Sequence, residues 1–99
     1  MKLEILDEGK LAVRALDNPV RLHLLELIKE TPSVTVGELY KNRKYKGRTL
    51  EQSITSQHLA ILRKQGLVTA TRDGKHFHYE ITDENQKKID YIYEFCKNL

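Results

Sequence analysis

LEQSITSQHLAILRKQGLV, residues 50–68, decides the reading of this chain. Its first half carries Gln52, Ser53, Thr55, Ser56, Gln57 and His58, and its second half the large apolar residues Leu59, Ile61 and Leu62. Gly66 stands where a helix end takes a left-handed residue, so the spacing predicts a helix over about 51–65. A Gln amide can bond an adenine edge through two hydrogen bonds, and short hydroxyls reach bases or phosphates from a helix seated in the major groove. A polar helix face can equally be a solvated one, and the surroundings decide between the two.

Those surroundings are cationic. Lys41, Arg43, Lys44, Lys46 and Arg48 precede the helix, Arg63 and Lys64 stand near its far end, and Arg72 and Lys75 follow. Cations on both sides of a polar face can neutralise opposite phosphate rows and release their counterions, which a merely solvated face does not require.

After Leu67 the period changes to two. Phe77, Tyr79 and Ile81 alternate with His76, His78 and Glu80, and Asp73-Gly74 supplies a two-residue turn. Residues 67–72 and 75–82 are therefore expected to form a hairpin. Thr82 or Asp83 then caps a last helix reaching Phe95 or beyond, with Ile89, Ile92, Tyr93 and Cys96 at helical spacing.

Upstream, residues 3–16 carry Leu3, Leu6, Leu11, Val13 and Leu16 in a loose helical pattern interrupted by Gly9. Asn18-Pro19 is a start signal, because Asn caps free N–H groups and Pro fits the first turn. A second helix is predicted from Pro19 to about Glu30, ended by Thr31-Pro32-Ser33. Its apolar face is wide. A short third helix follows from Thr35 or Val36 to Lys41, with Val36, Leu39 and Tyr40 inward. Residues 42–49 read as a helix extension or a loop, and the sequence does not decide their backbone.

The chain has 99 residues, 39% hydrophobic and 31% charged, with a net charge of +3. This length is enough for one core and one domain over residues 1–99. The modest positive charge suits a polyanionic partner without demanding one. No apolar run approaches the roughly 20 residues that a bilayer span needs, and no basic leader is apparent, so a cytoplasmic protein without membrane contact is expected. A single cysteine, Cys96, excludes an internal disulfide and any multi-cysteine metal site within one subunit.

Helices, then a hairpin, then a helix is the order of a winged helix-turn-helix, a mainly α (α+β) fold with helices one to four, a β-hairpin wing and a C-terminal helix. ALDNPVRLHLLELI, VGEL, LEQSITSQHLAILRKQGLV and RDGKHFHYEI together resemble the ArsR/SmtB winged-helix repressors, over about residues 11–82. The resemblance implies a homodimer joined through its first and last helices, with Leu3, Leu6, Ile89, Ile92, Tyr93 and Cys96 at the interface. Two copies of helix four would then face successive major grooves of a near-palindromic operator in double-stranded DNA. Carried over by position, Gln52, Ser53, Ser56 and Gln57 are the implied base or phosphate contacts, with Arg72, Gly74 and Lys75 at the wing. One departure stands out. The span from Leu39 to Leu50 is longer than the family pattern, and its additional residues are the basic ones, which are expected to add backbone contacts.

Many proteins of this resemblance release DNA on binding a metal, but the ligand positions here are largely empty. Between helices two and three the chain reads Pro32-Ser33-Val34-Thr35-Val36, and the last helix offers Asp83, Asp90 and Glu94 without a histidine. Carboxylates alone make a poor site for zinc or thiophilic ions, so neither a metal nor another cofactor is expected. His76 and His78 share a strand face, and a wing turned to solvent or DNA explains them better than ligation does. His58 is read as a packing or phosphate-contacting residue and His23 as solvated. Cys96 is read as a buried structural cysteine, and Tyr91, Tyr93 and Phe95 as packing the interface.

No nucleophile turn or phosphate-binding glycine loop is present, so the chain does not read as an enzyme. The function expected is a sequence-specific DNA-binding regulator, a homodimeric repressor. Two alternatives stay open at this point: a winged-helix module that docks on protein, and a metal-responsive repressor with an atypical site.

Overall fold

Three helices of this fold start on a cap supplied by their own local sequence. The structure, a computed structural model, describes residues 11–31, 33–42, 44–45, 48–49 and 51–97. The expected helix over 3–16 is described only from residue 11, and α1 here denotes its helical residues 11–16. Ala15 of α1 is buried, while Leu11, one turn before it, is exposed.

Helix α2 spans Pro19–Glu30 and is capped as expected: Asn18 Oδ1 accepts from the backbone N–H of Val20 at 2.9 Å and of Arg21 at 3.1 Å. Leu24, Leu25, Leu27 and Ile28 supply its buried face. Leu22 stays exposed. A two-residue strand β1, Val34–Thr35, then leads into α3, Val36–Asn42. Thr35 and Glu38 form a reciprocal cap, with Thr35 Oγ1 accepting from Glu38 N at 3.2 Å while Glu38 Oε1 accepts from Thr35 N at 3.2 Å.

Within the span left undecided by the sequence, two short strands are paired. β2 (Lys44–Tyr45) pairs antiparallel with β3 (Arg48–Thr49), Lys44 opposite Thr49 and Tyr45 opposite Arg48.

Helix α4, Gln52–Lys64, begins at Glu51 without a side-chain cap. It ends on a Schellman arrangement: Gly66, at φ 74°, donates to Arg63 O at 3.0 Å, and Leu67 donates to Leu62 O at 2.9 Å. Leu62 and Leu67 are both fully buried and belong to the same core cluster.

Strands β4 (Thr69–Asp73) and β5 (His76–Glu80) form the wing, and β1 joins them in the order β1-β5-β4. The third strand was not foreseen, because two residues carry no alternation and the partner of Val34 is Tyr79. The turn is also displaced by one residue from the expected Asp73-Gly74. Asp73 pairs with His76, so Gly74-Lys75 are the central residues. Gly74 has φ 63°, while Ser33 is the one non-glycine residue with positive φ among those described. Positive φ at the first central position alone is the pattern of a type II′ turn.

Helix α5, Asp83–Lys97, starts on a second reciprocal cap, in which Asn85 N donates to Thr82 Oγ1 at 3.1 Å and Thr82 N to Asn85 Oδ1 at 3.0 Å. The core gathers the apolar residues of α2 with Val34, Leu39, Leu59, Leu62, Leu67, Val68 and Ile92. Replacing a fully buried leucine such as Leu59 with Ala should cost about 2–5 kcal/mol.

Candidate nucleic-acid interface

The direction of α4 is fixed by what it buries. Thr55, Leu59 and Leu62 point into the core, and at 100° per residue the opposite side carries Ser53, Gln57, Ala60 and Lys64, all exposed. Gln52, Ser56 and Arg63 form one exposed flank of this row. Ile54 and Ile61 form the other, at 41% and 40% exposure.

Thr55 was expected among the DNA contacts, and His58 as a packing or phosphate-contacting residue. Thr55 is fully buried, and its hydroxyl donates to Glu51 O at 2.8 Å, the same carbonyl that takes the Thr55 N–H at 2.9 Å. Its side chain thus closes the first turn of α4 from inside and presents nothing to DNA. His58 is half-buried on the side facing α2, with Nδ1 3.3 Å from a terminal nitrogen of Arg21. Arginine has no acceptor, so Nδ1 is the accepting nitrogen. Burial, and then the charge of Arg21, push the His58 pKa below its ordinary value.

Arg21 itself was not singled out by the sequence. Its Nε donates to Ala15 O and its other terminal nitrogen to Arg14 O, both at 2.7 Å, so it satisfies carbonyls that the end of α1 leaves open. The same guanidinium therefore touches α1 and α4. His23 is half-buried rather than solvated.

The wing tip is exposed from Thr71 to Phe77. Arg72 lies over the ring of its cross-strand neighbour Phe77, 5.9 Å from the centroid, and its Nε donates to Gly74 O at 3.1 Å. That holds one cation at the tip in a fixed pose beside Lys75. Nothing lies within 4 Å of where a Cβ on Gly74 would stand, so the tip can approach another molecule by its backbone. On β5, His78 Nδ1 donates to Ser33 O at 2.9 Å, which takes one ring nitrogen away from ligation. His76 is exposed.

At the other end of α4, Arg48 and Lys44 lie in the β2–β3 hairpin, and Lys41 in the last turn of α3. Arg43 and Lys46 fall outside the described residues. The backbone thus sets a basic hairpin before α4 and the wing after it, with Arg63 and Lys64 exposed at its C-terminal end.

Of the residues expected at a dimer contact, Leu3, Leu6 and the side chain of Cys96 lie outside the described residues. Ile92 is buried in the core at 6% exposure, where an outward-facing interface residue was expected. Ile89 is half-buried and Tyr93 is 61% exposed. Both line an open apolar groove of about 660 Å³ with Val13, Leu16, Leu22 and Leu25. Tyr91 and Phe95 are exposed as well.

Among the described residues no three His, Cys, Asp or Glu side chains are grouped to hold a metal ion. The donors between α2 and α3 are hydroxyls and carbonyls, and among the described residues Asp83, Asp90 and Glu94 on α5 have no imidazole grouped with them. That donor set does not fit zinc or a thiophilic ion. No helix among the described residues is long and apolar enough to cross a membrane.

A family model described as bacterial regulatory protein, arsR family, matches residues 18–70, from the cap of α2 into β4. The HTH-type transcriptional regulator YgaV of Escherichia coli strain K12 is 33% identical over 78 residues, which are 79% of this chain and 74% of YgaV. The HTH-type transcriptional repressor SmtB of Mycobacterium tuberculosis is 34% identical over 86 residues, covering 87% of this chain and 59% of that repressor. Among solved structures, that of M. tuberculosis Rv0081 aligns with a TM-score of 0.70 at 30% identity, over 99% of this chain and 92% of the other.

Proposed function

The chain belongs to the ArsR family of bacterial regulatory proteins and is a DNA-binding transcriptional regulator, and from that premise we propose that it is a homodimeric repressor acting on a near-palindromic operator in the cytoplasm. The observation that carries this reading is the outward row of α4. Ser53 and Gln57 face away from the core with Gln52 and Ser56 beside them, between a basic hairpin and a wing tip that presents Arg72 and Lys75. Amides and hydroxyls read base edges and phosphates, and flanking cations neutralise the two backbones.

In this account residues 1–99 act as a single winged-helix unit. Gln57 supplies the main base contact of each half-site, Gln52, Ser53 and Ser56 contact bases or phosphates around it, and Arg63, Lys64, Arg72 and Lys75 neutralise phosphates. The basic stretch ahead of α4 adds further backbone contacts through Lys41, Arg43, Lys44, Lys46 and Arg48. The apolar groove with Tyr93, and the exposed Tyr91 and Phe95, supports pairing of two copies, since apolar surface of this kind is rarely left open on a monomer. Two-fold pairing sets two copies of α4 about one helical turn apart on DNA.

The experiment is a Gln57→Ala variant assayed on a duplex that the wild-type protein selects from a random-sequence pool. Removing a bidentate base contact should weaken binding by about 1–3 kcal/mol and relax preference at one position of each half-site, with little change on random-sequence duplex. Unchanged preference at every position would refute the role given to Gln57.

A further inference from the structure

We propose that Asn85 is a positioning residue for DNA binding, whose carboxamide locks the wing to the end of the reading helix. The inference rests on the DNA-binding reading of α4 and the wing given above.

Asn85 is 8% exposed, one of two buried polar or charged residues among those described, and both the oxygen and the nitrogen of its carboxamide are hydrogen-bonded. Its Nδ2 donates to Gly66 O at 2.8 Å, in the Schellman ending of α4. Its Oδ1 accepts from Thr69 Oγ1 at 2.8 Å, in the first residue of β4, and from Thr82 N at 3.0 Å. One amide group thus ties together the end of α4, the root of the wing and the first turn of α5. Only Leu67 and Val68 separate Gly66 from Thr69, and both are buried, so the joint fixes the short link on its polar side while the core fixes it on the other. Donor and acceptor are both required here. No carboxylate or aliphatic side chain of this size can satisfy Gly66 O and Thr69 Oγ1 together.

The consequence is geometric. Gln57 and Lys75 lie on separate elements, and both can meet one DNA duplex only if α4 and the wing keep a fixed relation. Random-sequence binding, dominated by phosphate charge, tolerates a loose joint far better than specific binding does.

Two variants separate the arms of the joint. Asn85→Asp removes the donor to Gly66 O and keeps an acceptor for Thr69 and Thr82, whereas Thr69→Val removes only the link to the wing. Ile92→Val, a small core change away from the joint, controls for stability, with all proteins assayed at a temperature where each is folded. On the duplex selected by the wild-type protein, both joint variants should bind at least tenfold more weakly. On random-sequence duplex they should change less than twofold, and Ile92→Val should change neither. Equal losses on both duplexes, or no loss on the selected one, would overturn the proposal.

A DNA-free measurement keeps its fate separate from that of the DNA reading. Residual dipolar couplings of the α4 and β4–β5 amides should fit one alignment tensor in the wild-type protein and need two in Asn85→Asp. A single tensor in both would overturn the joint, even if the chain selected no duplex at all.

Discussion

The guanidinium of Arg21 stands 3.3 Å from Nδ1 of His58, so that a neutral imidazole on the reading helix is held by a cation that also closes the end of α1. Burial and then Arg21 lower the His58 pKa, so the unfolded chain takes up this proton before the folded chain does. The stability this site contributes is complete above the ordinary value of 6.5, is lost as pH falls from there toward the depressed folded value, and falls no further once both states are protonated. Chemical unfolding of wild-type and His58→Gln proteins between about pH 8 and pH 5 measures this. The wild-type protein should lose stability relative to the variant in the upper part of that acid range. Parallel profiles would contradict the arrangement.

Thr55 belongs to the fold and not to the interface. Thr55→Val should lower stability by about 0.5–1.5 kcal/mol through loss of the bond to Glu51 O. Affinity for the selected duplex should stay within twofold under folding conditions. A selective loss of sequence preference in this variant would return Thr55 to the reading face.

The basic lead-in to α4 is expected to contact phosphates. Replacing Arg43, Lys44 and Lys46 with Ala should flatten the dependence of log K on log salt by a slope of about 0.9 for each phosphate that is no longer neutralised. A slope equal to that of the wild-type protein would show that these side chains are only solvated.

Tyr93, exposed beside the groove between α1, α2 and α5, tests the dimer. Tyr93→Glu should place charge in an apolar contact and give a monomer by light scattering. Binding by one half-site reader should then be weaker by about a hundredfold or more, as expected when the second contact is no longer intramolecular. A variant that remains dimeric and binds normally would remove this face from the account.

What the sequence disclosed was local in its chemistry. Asn18 before Pro19 and Gly66 after the last turn of α4 each act on neighbours along the chain, and each stands where its residue type predicts. The opaque features depend on distant partners. Thr55 and Gln57 are alike as sequence, and only the packing of α4 shows which one turns inward. Val34–Thr35 becomes a strand because β5 lies beside it, and Arg21 finds His58 across 37 positions. Asn85 joins Gly66, 19 residues away, and Thr69, 16 away, which no periodicity would suggest. The turn of the wing was misplaced by one residue because Asp-Gly and Gly-Lys both suit a two-residue connection, and the pairing of Asp73 with His76 chose the second.

The central claim is that α4 reads a two-fold operator. Selection of duplexes from a random-sequence pool by the purified protein, sequenced after several rounds, tests it most directly. The account predicts an enriched inverted repeat whose half-sites are centred about 10 base pairs apart, and its loss in the Gln57→Ala protein. A pool left no different from its starting composition would contradict the account.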